Sequence, residues 1–353
     1  MSEKQLKHRK PQAEPAARAA APFQDITRLS DGWTQVKVPL PFSLRWVNSY
    51  LISEPSGTYT IVDPGLRTEE AIALWERVLK QEELQWEDIG QIILTHQHPD
   101  HYGLAGYIQE RSEAPVYISR RSYSYAIRLW GEQSVFAKEL RTLYEEHGMP
   151  TELMSAIEDN LNSFPAMVSP QPVVTFVEAG ERIRIGGDDW QTIDAPGHAY
   201  GGLCFYSIEK QWMLCGDQVL PRITPNISVI PGEEYNPLAD FLKSLDELKR
   251  YEVKLALPGH REPFAGFSQR IDELISHHER RLTQMCELLA EEPQTAFQLC
   301  EKTFGSHLRS SPHNLRFAMS ETLAHLHYLE QQGGAKYTLL SSTSNRKPVK
   351  LWE

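Results

Sequence analysis

Thr95-His96-Gln97-His98-Pro99-Asp100-His101 places three imidazoles and one carboxylate within six residues, directly after the apolar run Gln91-Ile92-Ile93-Leu94. Histidine makes up only 13 of the 353 residues, so this density stands well above background. Imidazole nitrogen suits borderline divalent ions, and an adjacent carboxylate lets one loop serve two ions or a bound water. The preceding run has strand length. A helical spacing follows through Tyr102, Leu104, Ala105 and Ile108, with Asp100 as the expected N-cap. Strand, ligand loop and helix in that order belong to a layered α/β fold, where a rigid sheet holds ligands at strand ends.

Working outward, β-type runs at 34–38, 49–52 and 59–62 alternate with turns, the last ending at Asp63-Pro64-Gly65. The spacing of Ala71, Ile72, Leu74, Trp75 and Leu79 predicts a helix over 69–81. A helical insertion is expected at about 120–164, with Tyr123, Tyr125 and Trp130 either packing in the core or forming a lid over a substrate pocket. Strands resume at 182–185, 190–193, 202–207 and 211–215. Asn236-Pro237 reads as cap and first residue of another helix, and 254–257 as a last strand.

Two further histidines share one context, Ala195-Pro196-Gly197-His198 and Leu257-Pro258-Gly259-His260. A Pro-Gly turn after a strand can aim an imidazole back over the sheet end. Asp217, in Leu214-Cys215-Gly216-Asp217, adds a carboxylate able to bridge two cations. Seven potential ligands are too many for one tetrahedral ion and suit two.

These residues resemble the metallo-β-lactamase fold superfamily, an αββα sandwich of the α/β class. The likeness rests on the HxHxDH of His96, His98, Asp100 and His101, followed by His198, Asp217 and His260. The Asp63-Pro64-Gly65 turn and the Pro-Gly-His before a Gly-rich strand look like the glyoxalase-II-like hydrolases. The resemblance covers about residues 33–265. It implies one metal held by His96, His98 and His198, a second by Asp100, His101 and His260, and Asp217 as a bridge together with a hydroxide. Asp100 would also orient the hydroxide and carry a proton as the catalytic residue, and Asp63 would fix a ligand histidine through its other ring nitrogen. The cofactors implied are two divalent ions, zinc first, with iron or manganese as alternatives. The expected activity is hydrolysis of a small-molecule thioester or ester. A phosphodiesterase or endoribonuclease, a lactonase and a non-catalytic, metal-stabilised regulator are the alternatives. His98 stands where flavin-linked diiron members carry a carboxylate, and Asp217 where class B β-lactamases mostly place Cys; both count against those branches.

Residues 23–265 are thus expected to form the catalytic domain, 1–22 a disordered tail, and 266–353 a separate C-terminal unit. Three amphipathic helices and a terminal hairpin give that unit a winged-helix-like pattern, similar to the extension on some superfamily endoribonucleases and fungal polyketide thioesterases. Arg309, Arg316, Arg346, Lys347 and Lys350 are its candidates for a local basic patch. Packing on the catalytic domain or homodimerisation is preferred over nucleic-acid contact. His277, His278, His325 and His327 are expected at the surface or an interface. Hydrophobic content of 41% and 24% charged residues are ordinary for a globular chain long enough for two cores, and a net charge of -11 argues against general affinity for polyanions. Four cysteines without a CxxC pair, no membrane-length apolar run and no signal-peptide core lead to the expectation of a cytoplasmic protein without a membrane partner.

Overall fold

The computed structural model describes residues 25–232, 236–340 and 348–353. The tail expected at 1–22 lies outside the described residues, as do Arg346 and Lys347 of the suggested basic patch. The elements in order are β1 (Ile26–Arg28), β2 (Trp33–Pro39), β3 (Trp46–Ser53), β4 (Tyr59–Val62), α1 (Glu69–Gln81), β5 (Ile89–Ile93), α2 (Pro99–Tyr102), α3 (Ala105–Ser112) and β6 (Val116–Ile118). The inserted helices α4 (Arg120–Trp130), α5 (Phe136–Glu146) and α6 (Thr151–Asn162) come next, and then β7 (Val174–Phe176), β8 (Arg182–Ile185), β9 (Asp188–Asp194), β10 (Leu203–Ser207), β11 (Trp212–Gly216), α7 (Pro237–Leu248) and β12 (Leu255–Pro258). The C-terminal part contains α8 (Phe267–Glu291), β13 (Gln294–Thr295), α9 (Ala296–Phe304), α10 (Pro312–Gln331), β14 (Tyr337–Leu340) and β15 (Val349–Trp352).

Strands β1 to β7 form one sheet in chain order, antiparallel as far as β4 and parallel from β4 to β7. A second sheet runs β12-β11-β10-β9-β8, with β11 and β12 parallel across α7. Side-chain alternation separates three apolar layers. Tyr50, Ile52, Ile93, Leu203, Phe205 and Leu214 meet between the sheets, where the Trp33 ring lies 5.4 Å from Trp190. Their neighbours Val47, Leu51 and Ile92 face outward under α1, α3 and the inserted helices. Cys204, Tyr206, Met213 and Cys215 face the other way, under α7 and α8. Burial on both faces is why β10 reads as a continuous apolar run, Leu-Cys-Phe-Tyr-Ser. The layers are therefore αββα.

The helix expected at 69–81 is α1, capped by the Thr68 hydroxyl, which accepts from Ala71 N at 3.1 Å. Asn236 caps α7 by accepting from Ala239 N at 3.0 Å. Asp100 does not cap a helix. It lies inside the short α2, whose N-cap is His98, and its carboxylate turns to His260 Nε2 at 3.3 Å instead. No helix among the described residues is long and apolar enough to cross a membrane.

The C-terminal part pairs three helices with a small β13-β15-β14 sheet. The Leu315, Met319, Leu323, Leu326 and Leu329 stripe of α10 is buried as its spacing predicts, yet Arg316, Ser320, Glu321 and His325 on its other side are buried as well. That second face packs on the catalytic layers. His278 and His325 are accordingly not at the surface: both are fully buried, His278 Nδ1 is 3.1 Å from His325 Nε2, and His325 Nδ1 faces the Glu321 carbonyl at 2.8 Å. This relay uses neutral rings. Burial, reinforced by the facing His325, pushes His278 down to about 2, and burial takes His325 down to about 4 against the pull of the Glu321 carbonyl.

Both values lie below the ordinary imidazole range, so protons favour the unfolded chain. The pair's full contribution is present above pH about 6.5 and is lost as pH falls, down to about 4 for His325 and on to about 2 for His278, at a cost of about 2 kcal/mol per histidine at pH 5. The urea midpoint should therefore drop between pH 7.5 and 5, and drop less in His278→Gln, which titrates one group fewer. Parallel declines in the two proteins would count against the neutral relay.

Candidate metal centre

Every histidine and aspartate singled out by motif sits at the C-terminal end of a strand. Asp63 follows β4, the His96–His101 loop follows β5, His198 follows β9, Asp217 follows β11 and His260 follows β12. Strands that converge in two packed sheets bring these five ends to one edge of the sandwich. The long sequence gaps between them are closed there.

Three groups of donors result. His96, His98 and His198 offer nitrogens within 4.8 Å of one another; so do the donor atoms of Asp100, His101 and His260, and those of Asp63, His96 and His101. His96 Nε2 is 3.0 Å from His98 Nδ1. Asp217 lies between the first two groups, with Oδ2 at 3.7 Å from His198 Nε2 and 3.3 Å from His260 Nε2, and Oδ1 at 3.5 Å from His101 Nε2. All seven residues that the motifs pointed to are thus gathered.

The far side of each ring determines which nitrogen is free. His101 Nδ1 faces Asp63 Oδ2 at 2.8 Å, His198 Nδ1 faces the Asn226 carbonyl at 2.8 Å, and His260 Nδ1 faces the Trp46 carbonyl at 2.8 Å. These partners only accept, so each Nδ1 carries a hydrogen in the neutral ring and each Nε2 presents a lone pair inward. His96 follows by one more step: the Thr95 hydroxyl donates to Asp63 Oδ2 at 2.6 Å and can then only accept from His96 Nδ1, 2.9 Å away. The inward atoms His101 Nε2, His198 Nε2, His260 Nε2 and Asp217 Oδ1 are buried with no hydrogen-bond partner. Buried polar atoms are ordinarily satisfied, and this set of neutral imidazole and carboxylate donors fits divalent cations.

Charge tells the same story. Burial pushes His96 well below the imidazole range and His98 down to about 3, with neighbouring imidazoles adding to both shifts. Burial lowers His198 too, against Asp217. For His101 and His260 burial is outweighed by carboxylates: Asp217, Asp63 and Asp100 raise His101, and Asp217 and Asp100 raise His260 to about 10. Asp100 and Asp217 are held well below the usual carboxylate range because His101 and His260 overcome the effect of burial. With protein groups alone, the buried carboxylates keep protons on two imidazoles, and cations bound at the Nε2 atoms would replace those protons.

Two glycines are dictated by close approach. A Cβ on Gly259 would lie 2.2 Å from Asp217 Oδ1 and 2.5 Å from His101 Cε1. On Gly197, at φ 113°, it would lie 2.4 Å from the Phe241 Cα. The turn before His260 is also tied to β3, where Asn48 Nδ2 and the Tyr50 hydroxyl both donate to the Pro258 carbonyl, at 2.9 and 2.8 Å.

A cavity of about 280 Å³ opens onto His98, Asp100, His198, Asp217 and His260. Its other walls are largely apolar and come from the 42–44 loop, the inserted helices through Leu129, Trp130 and Phe136, the 223–230 loop, and α10. Trp130 serves core and pocket together, since it is buried and its indole donates to the Gln97 carbonyl at 3.1 Å. Motif reading missed the carbonyls of Asn226 and Trp46, because any residue supplies a carbonyl. It also missed the part played by α10. Asn226 Nδ2 donates to Glu321 Oε2 and to the Phe317 carbonyl, each at 3.1 Å, so α10 braces the loop that orients His198. A charged residue beside an apolar helical stripe was the available signal.

Comparison with known proteins agrees with this geometry. The metallo-beta-lactamase superfamily model matches residues 45–260, and that of the metallo-beta-lactamase-like C-terminal domain matches residues 282–339. The chain is 29% identical to the probable metallo-hydrolase YqjP of Bacillus subtilis, over 84% of this chain and 92% of that one. It is 28% identical to a hydroxyacylglutathione hydrolase of Klebsiella pneumoniae, over 48% of this chain and 45% of that one. The crystal structure of a metallo-beta-lactamase family protein from Thermus thermophilus superposes with a TM-score of 0.80 at 33% identity, covering 91% of this chain and 98% of that one. With this share of the sequence matched and the fold reproduced over nearly its whole length, the chain belongs to the metallo-beta-lactamase superfamily.

Proposed function

We propose that this metallo-hydrolase holds two divalent ions, zinc first, and cleaves a thioester or ester of a small acyl compound. The observation that carries the reading is the apolar cavity of about 280 Å³ opening onto the gathered donors. Its volume and lining suit an acyl chain with a carbonyl group at the histidine and aspartate edge. The half-length similarity to a hydroxyacylglutathione hydrolase supports the same chemistry.

His96, His98 and His198 would hold one ion and Asp100, His101 and His260 the other, with Asp217 between them. When bound, the ions supply Lewis acidity towards the carbonyl oxygen and lower the pKa of a water. The residues do the rest. Asp63 keeps His101 in the tautomer that presents Nε2, and the Asn226 and Trp46 carbonyls do so for His198 and His260. Asp100 faces the cavity and remains ionised, so its carboxylate accepts the proton released as water attacks the carbonyl carbon and returns it to the departing thiolate or alkoxide. The apolar walls exclude bulk water from that exchange.

RNA cleavage is less well supported. Of the cations suggested as a basic patch, Arg309 is engaged by Glu301 at 2.5 and 2.7 Å, Arg316 is buried, and Lys350 lies 4.7 Å from the Tyr337 ring centroid. No exposed stripe of free cations remains among these described residues.

Purified, metal-loaded protein assayed on acyl-glutathione, acyl-CoA, aryl ester and lactone panels should hydrolyse at least one class and lose turnover on chelation; inactivity on all of them sinks the acyl reading. Asp217→Ala should lose at least one of two bound metal equivalents by elemental analysis and reduce kcat/KM by about a hundredfold or more. Gly259→Ala, whose added methyl meets Asp217 and His101, should also lower metal content, while Gly57→Ala, at a site with nothing within 4 Å, should not.

A further inference from the structure

Arg316 is the buried charge that the metal centre does not use. It lies one turn into α10, is 9% exposed, and lines the same cavity as His98, Asp100 and His260. Its Nε has no hydrogen-bond partner, and among the described residues no carboxylate forms an ion pair with it. The guanidinium lies over the face of Phe317, 4.1 Å from the ring centroid. Buried guanidinium groups are nearly always paired, because leaving water without a counter-charge is costly. Phe317 offers only a quadrupole.

The surroundings of Arg316 form a built wall rather than a stray side chain. The His313 ring stacks on Phe42 at 4.5 Å with 7° between planes and meets Phe317 edge-on at 4.8 Å, so it is held in place. Its Nδ1 is buried and has no hydrogen-bond partner either. Tyr144 fastens the backbone beneath, donating to the Arg316 carbonyl at 2.8 Å. Burial pulls both groups down, His313 to about 4 with the neighbouring Arg316 adding to its shift, and Asp100 across the cavity only partly offsets this for each. One cavity thus carries a metal-type donor cluster, an apolar middle and an unpaired cation with an adjacent free imidazole nitrogen.

We infer that Arg316 and His313 form an oxyanion subsite, so that the substrate carries a carboxylate or phosphate group in addition to the carbonyl that is cleaved. This rests on the reading that the substrate of the metal centre occupies the cavity. The guanidinium fork suits either anion bidentately, and the imidazole adds one donor. An anion there supplies the missing counter-charge and positions the apolar body between the two polar ends.

The test is a binding experiment that needs no turnover. Hexanoate, hexyl phosphate and hexanamide are titrated by calorimetry into the full-length protein, metal-loaded and chelated, as wild type, Arg316→Met and Arg316→Lys. The chelated protein removes metal–carboxylate contacts, so an inactive enzyme still reports on the subsite. The wild type should bind at least one of the two anions about tenfold or more tighter than the amide. Which anion binds tighter identifies the group. The preference should vanish in Arg316→Met and partly return in Arg316→Lys. If chelated wild type does not distinguish anion from amide, or if Arg316→Met keeps the preference, the subsite is refuted. Should Arg316→Met not fold, the wild-type comparison and Arg316→Lys decide. Where turnover is found, Arg316→Met should raise KM for an acyl thioester with a terminal carboxylate about tenfold or more, and leave KM for the uncharged chain within about twofold.

Discussion

The Asp63 carboxylate is the point on which the site hangs. It accepts from the Thr95 amide at 2.8 Å, from the Thr95 hydroxyl at 2.6 Å and from His101 Nδ1 at 2.8 Å, and so ties the end of β4 to the start of the ligand loop after β5. Through Thr95 it also sets the tautomer of His96. One buried carboxylate therefore orients a histidine in each of the two donor groups. Asp63 itself adopts φ 50°, a left-handed conformation that Asp tolerates better than most residues, and Gly65 at φ 107° completes the turn. This turn lets Asp63 reach back across the β4–β5 crossover, whose strands pair in parallel.

Much of this was legible in the sequence. Strand ends marked by Asp63-Pro64-Gly65, Pro196-Gly197-His198 and Pro258-Gly259-His260 were readable because tight turns need particular residues. The cap of α7 at Asn236-Pro237 was readable for the same reason. Periodicity found the helices of the insertion and the C-terminal part. Asp100 was misplaced as a cap because capping depends on where the side chain turns, and the pull of His260 from 160 residues away has no local signature. The burial of His278 and His325 has no signature in the spacing along either helix, because it arises where α8 and α10 meet. Anchoring by backbone carbonyls leaves no trace in residue identity at all.

Helix α10 shows how a polar pattern can mislead. One side carries leucines and methionine into the C-terminal core, as an ordinary amphipathic helix would. The other side carries Arg316, Ser320, Glu321 and His325, which reads as a solvated face and is instead pressed against the catalytic layers. Each residue there has a use: Ser320 meets the Tyr144 hydroxyl at 2.6 Å, Glu321 receives Asn226, His325 receives His278, and Arg316 faces the cavity. The polar side of the helix is an interior surface on which Ser320, Glu321 and His325 are satisfied one by one, while Arg316 is left facing the cavity.

The phase of this helix is consequently part of the active centre. A single inserted or deleted residue before Arg316 would rotate everything beyond it by about 100°. The leucine side could recover by sliding to new neighbours, since apolar packing tolerates substitution of one partner for another. The polar side could not, because Asn226 would lose Glu321, His278 would lose His325 and the cavity would lose its cation in the same step. The angular setting of α10 is bound to the histidine cluster it overlooks.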